Sequence, residues 1–234
     1  MKLLAVDTAT RSCSVAISQD DAVVVELTKN VRKTHSKQLM ELLDFALHSS
    51  KMRLAELDGF VVTRGPGSFT GLRIGISTVK GLALATAKPL VSVSCLEALT
   101  YQMPHYHHLI CPMLDARRDE VYTALHRWQD QDLVQIKPET AMSPEKAVAA
   151  LGEPCLFVGN GAVLYWKLIL DTLKDNALIA QPWQHFVRGA TVAQIGLVKM
   201  RQRLFEDVSC FGPVYLRKSD AEVNLERRAR FTRT

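Results

Sequence analysis

The stretch KLLAVDTATRSCSVAISQDDAVVVEL, residues 2–27, sets the fold. KLLAVDT is continuously apolar up to Asp7, CSVAIS alternates, and DAVVVEL follows a turn at Gln19, Asp20 and Asp21, so the chain opens as a meander of strands. Beyond it, Thr34 is the N-cap candidate for a helix reading HSKQLMELLDFALHS. DGFVVTR then reads as a short buried strand that runs into Gly65, Pro66 and Gly67. A second helix, TGLRIGISTVKGLALATA, ends at Lys88 and Pro89, and LVSVS is one more short strand.

The second half repeats this order. HLICPMLDA is an apolar strand ending near Asp115, and DEVYTALHRW and DLVQI are two more. SPEKAVAAL is a short helix with Ser143 as cap and Pro144 in its first turn. CLFVG enters Gly159, Asn160 and Gly161, and AVLYWKLILDTL reads as a helix. No residue-level repeat accompanies the echo, and any α/β chain can yield such a pattern by chance. Two copies of βββαβα nevertheless point to an α/β, actin-like (ASKHA) fold of two lobes, each a mixed sheet flanked by helices. In that group nucleotide sits between the halves, near strand ends and helix starts. The expected division is a first lobe over residues 1–103 and a second over 104–234, with a C-terminal helix packing back on the first lobe. His105, Tyr106, His107 and His108 read as the linker.

Composition narrows the class. The 234 residues can bury a core without disulfide staples, and 47% apolar with 23% charged is ordinary for a globular chain. No run approaches the roughly 18 apolar residues of a membrane span, and only four apolar residues separate Lys2 from Asp7, too few for a signal core. Five cysteines without C-x-x-C spacing predict a reducing, cytoplasmic setting with buried thiols. The net charge of +5 is uneven, because residues 217–234 alone supply +3. The body is therefore not a broad nucleic-acid surface.

The loops offer little chemistry. GPGSFTG, residues 65–71, lacks the lysine of a P-loop and misses G-x-G-x-x-G by one position, and Pro66 removes an amide from any phosphate cradle. Two readings stand for it: an anion site built from the amides of residues 68–71, or a tight turn with Ser68 or Thr70 as helix cap. Asp7 and Asp115 stand where an actin-like ATPase would hold hydrated magnesium, but the first loop, Asp7-Thr8-Ala9-Thr10-Arg11, lacks the glycine that lets backbone approach phosphate. Asp7, Thr8, Gly65, Gly67, Ser68 and Asp115 are therefore the candidates for a vestigial nucleotide cleft. The histidines at 105, 107 and 108 have no acidic or Cys ligands at matching spacing, and Cys95 has no histidine placed to activate it. G-x-S-x-G is absent. No catalytic residue and no metal ligand emerges.

Two helices are more apolar than one sheet face requires. Residues 70–87 carry Leu72, Ile76, Val79 and Ala83 on one face and Ile74, Leu82, Leu84 and Ala85 elsewhere, with Arg73 and Lys80 as the sole charges. The preceding helix, with Leu39, Met40, Leu42, Leu43, Phe45, Ala46 and Leu47, shows the same excess. Either another chain covers the surplus or a core closed by the second lobe does. The first reading assigns Leu39, Met40, Leu43 and Leu47, with Leu72, Arg73, Ile76, Val79, Lys80 and Ala83, to a partner face.

LLAVDTATRSCSVAI, GPGSFTGLRIGIS, MLDARRDEVY and PVYLRKSDAE, in this order along nearly the whole chain, resemble the TsaB (YeaZ) family. That family is the bacterial subunit required for threonylcarbamoyladenosine at position 37 of tRNAs reading ANN codons. The resemblance implies a non-catalytic partner of the paralogous transferase TsaD, joined by the ATPase TsaE, with ATP, magnesium and the catalytic metal on those subunits and none on this chain. It implies contact with TsaD through the helix pair, self-pairing as a homodimer through much the same surface, and contact with tRNA only through the complex. The paralogue's metal-binding His-x-x-x-His follows the strand that here reads LVSV, and Cys95 and Leu99 occupy those positions. The competing classes are an ATP-dependent small-molecule kinase of the same superfamily and an M22-type metallopeptidase. The family match ends near PVYLRKSDAE, and the arginines at 227, 228, 230 and 233 beyond it read as a disordered extension that adds salt-sensitive tRNA affinity to an assembled complex.

Overall fold

The computed structural model describes residues 1–30, 35–104, 106–149 and 151–217. The Thr34 cap, His105, and the tail from residue 218 onward lie outside the described residues. The first lobe contains β1 (Lys2–Asp7), β2 (Ser12–Gln19), β3 (Ala22–Asn30), α1 (His35–Ser50), β4 (Gly59–Gly65), α2 (Phe69–Thr86), β5 (Leu90–Ser94) and α3 (Cys95–Tyr101). The second contains β6 (Leu109–Arg117), β7 (Glu120–Gln129), β8 (Asp132–Met142), α4 (Pro144–Ala149), β9 (Cys155–Val158), α5 (Asn160–Leu164), α6 (Trp166–Leu173) and β10 (Ala177–Ile179). Last comes α7 (Gly189–Arg201).

The strand order makes the duplication explicit. One sheet runs β3-β2-β1-β4-β5 and the other β8-β7-β6-β9-β10, the same topology twice. In each, the first three strands pair antiparallel and the last two add in parallel. This is the two-lobed actin-like arrangement. Three elements escape the sequence pattern: α3, β10 and the break at Tyr165, which splits the expected helix over residues 162–173 into α5 and α6. A three-residue strand and a seven-residue helix are too short to show a period.

Alternation along β1 explains the layers. Leu3 and Ala5 point to one face and Leu4 and Val6 to the other, as strand geometry requires. Leu4, Val6, Phe60 and Val62 pack under α1 and α2. Leu3, Ala5, Val61 and Val91 pack with Val192, Ala193, Ile195 and Leu197 of α7. The chain thus returns to the first lobe, and α7 covers the face opposite the helix pair. Closeness is enforced at Gly196, where an added Cβ would come within 2.4 Å of the Val61 side chain. The same core continues through Leu96 and Leu99 of α3 into Ile110, Leu114 and Leu156 of the second lobe.

After α7 the chain runs as a strap over the first lobe. Glu206 N donates to Leu90 O at 2.8 Å, and Val208 and Phe211 pack against the α1–α2 core. Val214 N donates to Arg64 O at 2.8 Å, and Tyr215 stacks on Phe69 with centroids 4.3 Å apart. Arg217 then reaches the second lobe, donating to Arg117 O at 3.2 Å and Glu120 Oε2 at 3.0 Å.

Candidate partner face and inter-lobe cleft

The helix pair presents only some of the residues that the sequence assigns to a partner. Leu39, Leu43, Leu72, Ile76, Val79 and Ala83 are all core residues, 4% exposed or less. They recur three and four positions apart, and that stripe is the one each helix lays on the sheet. Arg73 and Lys80 are also accounted for within the chain. Arg73 Nε donates to the Tyr215 hydroxyl at 2.9 Å and lies over its ring, and Lys80 Nζ donates to Phe211 O at 2.7 Å. The strap therefore covers one flank of α2, and α2 is apolar nearly all round partly for that reason. The residues 205–216, rich in Phe, Val and Tyr, carried this signal unread.

What remains outward is narrower. Met40 is 56% exposed and Leu84 68%, while Leu47, Ile74 and Leu82 are half-buried at the edge of the α1–α2 core. Ser77, Gly81 and Ala85 lie four apart on α2 and are exposed. A Cβ added to Gly81 would meet nothing within 4 Å, so packing inside the chain gives no reason for a glycine there. An interior helical glycine costs about 1 kcal/mol against alanine. On the far edge of α1, Phe45 is 58% exposed.

The expected nucleotide residues are sealed rather than open. Ser68 caps α2, its Oγ accepting from Gly71 N at 3.3 Å, and its own amide donates to Ala9 O at 2.7 Å. Thr8 Oγ1 donates to Gly71 O at 2.8 Å. A Cβ on Gly67 would lie 2.3 Å from Ala9 O, and one on Gly71 2.0 Å from Thr8 O. The glycines of GPGSFTG thus seat the start of α2 directly on the β1–β2 loop, where a phosphate would have to approach. The helix-cap reading of this segment describes the geometry.

Beneath that contact Asp7 has no exposed surface. Its Oδ1 accepts from Thr63 Oγ1 at 2.7 Å and from Ala9 N at 3.2 Å, while Oδ2 has no partner among the described residues. Burial pushes its pKa up to about 6, against the two hydrogen bonds, which lower it. A carboxylate so enclosed does not fit a hydrated magnesium. Nor do Cys95 and Leu99 fit a metal: both are fully buried, and burial together with the nearby Asp7 charge holds the Cys95 thiol well above its ordinary range. Among the described residues no three His, Cys, Asp or Glu side chains gather at metal-binding range. Cys13, Cys95, Cys111 and Cys155 are buried free thiols, and Cys210 is exposed.

A cleft of about 740 Å³ does open between the lobes, and of the six expected residues only Asp115 lines it. Thr10, Arg11, Ser12 and Asn30 form its first-lobe wall. Val163 and Leu164 of α5, with Ile179, Pro182 and Phe186, form the opposing apolar wall. At its floor the Asp115 amide donates to Asn160 Oδ1 at 3.1 Å, and Asp115 Oδ1 accepts from Arg117 N at 2.7 Å. His185 is committed: Gly159 N donates to its Nδ1 at 3.1 Å, which leaves Nε2–H to donate to Ala180 O at 3.0 Å. Burial lowers its pKa, so the ring is neutral.

Comparison with known proteins agrees with this architecture. The family described as TsaD: tRNA N6-adenosine threonylcarbamoyltransferase matches residues 23–225. The tRNA threonylcarbamoyladenosine biosynthesis protein TsaB of Bacillus subtilis is 33% identical over 225 residues, covering 95% of this chain and 96% of the relative. The solved structure of YeaZ from Pseudomonas aeruginosa superposes with a TM-score of 0.80 at 27% identity, over 92% of this chain and 99% of that one. Component A of the (R)-2-hydroxyglutaryl-CoA dehydratase of Acidaminococcus fermentans, at 8% identity, shares the fold with a TM-score of 0.53 over 86% of this chain and 99% of its own. No helix among the described residues is long and apolar enough to cross a membrane.

Proposed function

The chain belongs to the TsaB (YeaZ) family of tRNA threonylcarbamoyladenosine biosynthesis proteins, and from that premise we propose that it is the non-catalytic scaffold subunit of this synthesis. It binds the TsaD transferase and supports transfer of the threonylcarbamoyl group to N6 of adenosine 37 in tRNAs reading ANN codons. ATP, magnesium and the catalytic metal are used by the partner subunits, TsaE joins the assembly, and tRNA meets this chain only through the complex. Its compartment is the cytoplasm, where tRNA is modified.

One observation carries this reading: the exposed ridge of Ser77, Gly81 and Ala85 on α2, with Leu84 exposed beside it and Met40 exposed on α1. Small residues four apart let a partner helix approach closely, and the flanking apolar side chains supply the area that association removes from water. Fully burying a side chain the size of Leu84 or Met40 is worth roughly 1.5–3 kcal/mol. In the partner's absence a second copy of the chain covers the same face. Among the described residues the expected reactive groups are closed off. Asp7 is enclosed, Cys95 is a buried thiol, and both nitrogens of His185 are occupied. A kinase reading would need phosphate to reach Asp7, and the seat of α2 on the β1–β2 loop stands in the way.

The test is co-elution of the Leu84→Glu and Gly81→Arg variants with TsaD, alongside reconstituted threonylcarbamoyl transfer. Both variants are expected to fold, to lose co-elution and to lower transfer at least tenfold. Retained co-elution would overturn the assigned face, and transfer that proceeds equally well without this chain would overturn the scaffold role.

A further inference from the structure

The cleft between the lobes is lined by none of the helix-pair residues named above, and the seat of α2 on the β1–β2 loop fills the place where a phosphate would approach Asp7. Its two walls differ sharply. The second lobe contributes Val163 and Leu164, 52% and 58% exposed, with Ile179, Pro182 and Phe186, an apolar surface that faces inward across the gap. The first lobe contributes hydroxyls and one cation. Thr10 Oγ1 and Ser12 Oγ are 2.8 Å apart and hydrogen-bonded to each other. Arg11 is exposed, and no ion pair to it occurs among the described residues.

Charge decides what such a cleft accepts. Its cation is Arg11, its anion is the half-buried Asp115, and His185 is neutral. One guanidinium matches one negative charge, and the Asp115 carboxylate opposes any further one. The GPGSFTG segment adds no anion donor, because the amides of Ala9, Ser68 and Gly71 already donate to Asp7 Oδ1, Ala9 O and Ser68 Oγ. The volume, about 740 Å³, falls within the range of small-molecule sites. We propose that this cleft binds a small amphipathic monoanion, with its apolar body against Val163, Leu164, Ile179 and Phe186 and its acidic head on Arg11.

The probe is 1-anilinonaphthalene-8-sulfonate, an aromatic monoanion whose fluorescence rises and shifts to the blue in apolar surroundings, titrated into the full chain without partners. Saturable micromolar binding is expected. Arg11→Gln is expected to weaken it at least fivefold, and Leu164→Asp at least tenfold, with folding confirmed by circular dichroism and Val163→Asp as the second apolar-wall variant. The neutral analogue N-phenyl-1-naphthylamine should bind more weakly and be indifferent to Arg11→Gln. Three results would overturn the assignment: no saturable binding, affinity unchanged by both Arg11→Gln and the apolar-wall variants, or loss of binding with Leu84→Glu instead, which would place the dye on the helix pair. Because no partner is present, failure here leaves the scaffold role untouched, and failure of that role leaves this result standing.

Discussion

Thr8 donates its hydroxyl hydrogen to the Gly71 carbonyl at 2.8 Å, and a Cβ on Gly71 would sit 2.0 Å from the Thr8 carbonyl oxygen. Backbone stands on both sides of that gap, so neither side can yield by changing a rotamer. Gly71→Ala is therefore expected to cost about 3 kcal/mol in urea denaturation. Gly81→Ala, in the same helix but facing open space, is expected to stabilise the isolated chain by about 0.5–1 kcal/mol. Equal effects at the two sites would contradict the seating of α2.

Burial separates Ile76 from Leu84, although both are apolar residues of α2. Ile76 is 3% exposed within the sheet–helix core. Ile76→Glu brings a carboxylate without a partner into that core and is expected to cost about 4 kcal/mol or more, leaving little folded protein. Leu84→Glu, at a position 68% exposed, should change stability by no more than about 0.5 kcal/mol. Chemical denaturation of the two variants measures the contrast directly.

Two buried groups oppose each other in acid. Asp7 has its pKa raised from 3.8 to about 6, so the folded state holds its proton more tightly and stability falls as pH rises through that window. His126, bonded to Thr100 Oγ1 at 3.2 Å, is lowered by burial from 6.5 to about 4, so its contribution rises with pH over nearly the same range. Each is worth about 3 kcal/mol at one pKa unit per 1.36 kcal/mol. Glu139, raised by burial, adds to the Asp7 trend, and His185 adds to that of His126. The wild-type protein should therefore show a shallow profile between pH 4 and 6.5. Asp7→Asn should unmask stability that climbs with pH, and His126→Gln stability that declines. Denaturation midpoints across that range report the slopes, and unaltered slopes in both variants would contradict the burial of these groups.

The strap contributes through few contacts. Tyr215→Ala removes the stack on Phe69 and the hydroxyl that accepts from Arg73 Nε, a loss of about 1–2 kcal/mol. Ending the chain after Gly212 also removes the Val214–Arg64 bond and the Arg217–Glu120 pair. Amide hydrogen exchange should then quicken along β4 and the first turns of α2, while the α7 amides keep their protection. Uniform protection in both forms would mean that the strap is passive.

The fold was legible where periods are long. Leu3 to Val6, the alternation of residues 13–18 and the two glycine turns after strands were sufficient for the duplicated lobes. The seven residues of α3 and three of β10 carry no measurable period, and Tyr165 breaks a helix whose sequence reads straight through. The outward face of the helix pair was legible only in part. Spacing shows that Ile76 and Val79 share a stripe, but it cannot tell whether that stripe meets the sheet or a partner. It also could not show that Arg73 and Lys80 hold residues more than a hundred positions away. The cleft was misplaced for a related reason. Asp7 and the glycines lie at the right strand ends, yet the α2 start fills the space, and the apolar wall joins Val163 and Leu164 to Ile179 of a strand too short to be noticed.

The strap also sets the order in which the flank of α2 is completed. Phe211, Val214 and Tyr215 are among the last described residues, yet they complete the flank of a helix whose first turn begins at Phe69. During synthesis β4 and α2 emerge long before the chain that closes over them, and α7 must first fill the opposite face of the same sheet. Until residues 211–215 are in place, the flank of α2 that carries Phe69, Arg73 and Lys80 stays open to water, so α2 forms before the segment that finishes its packing.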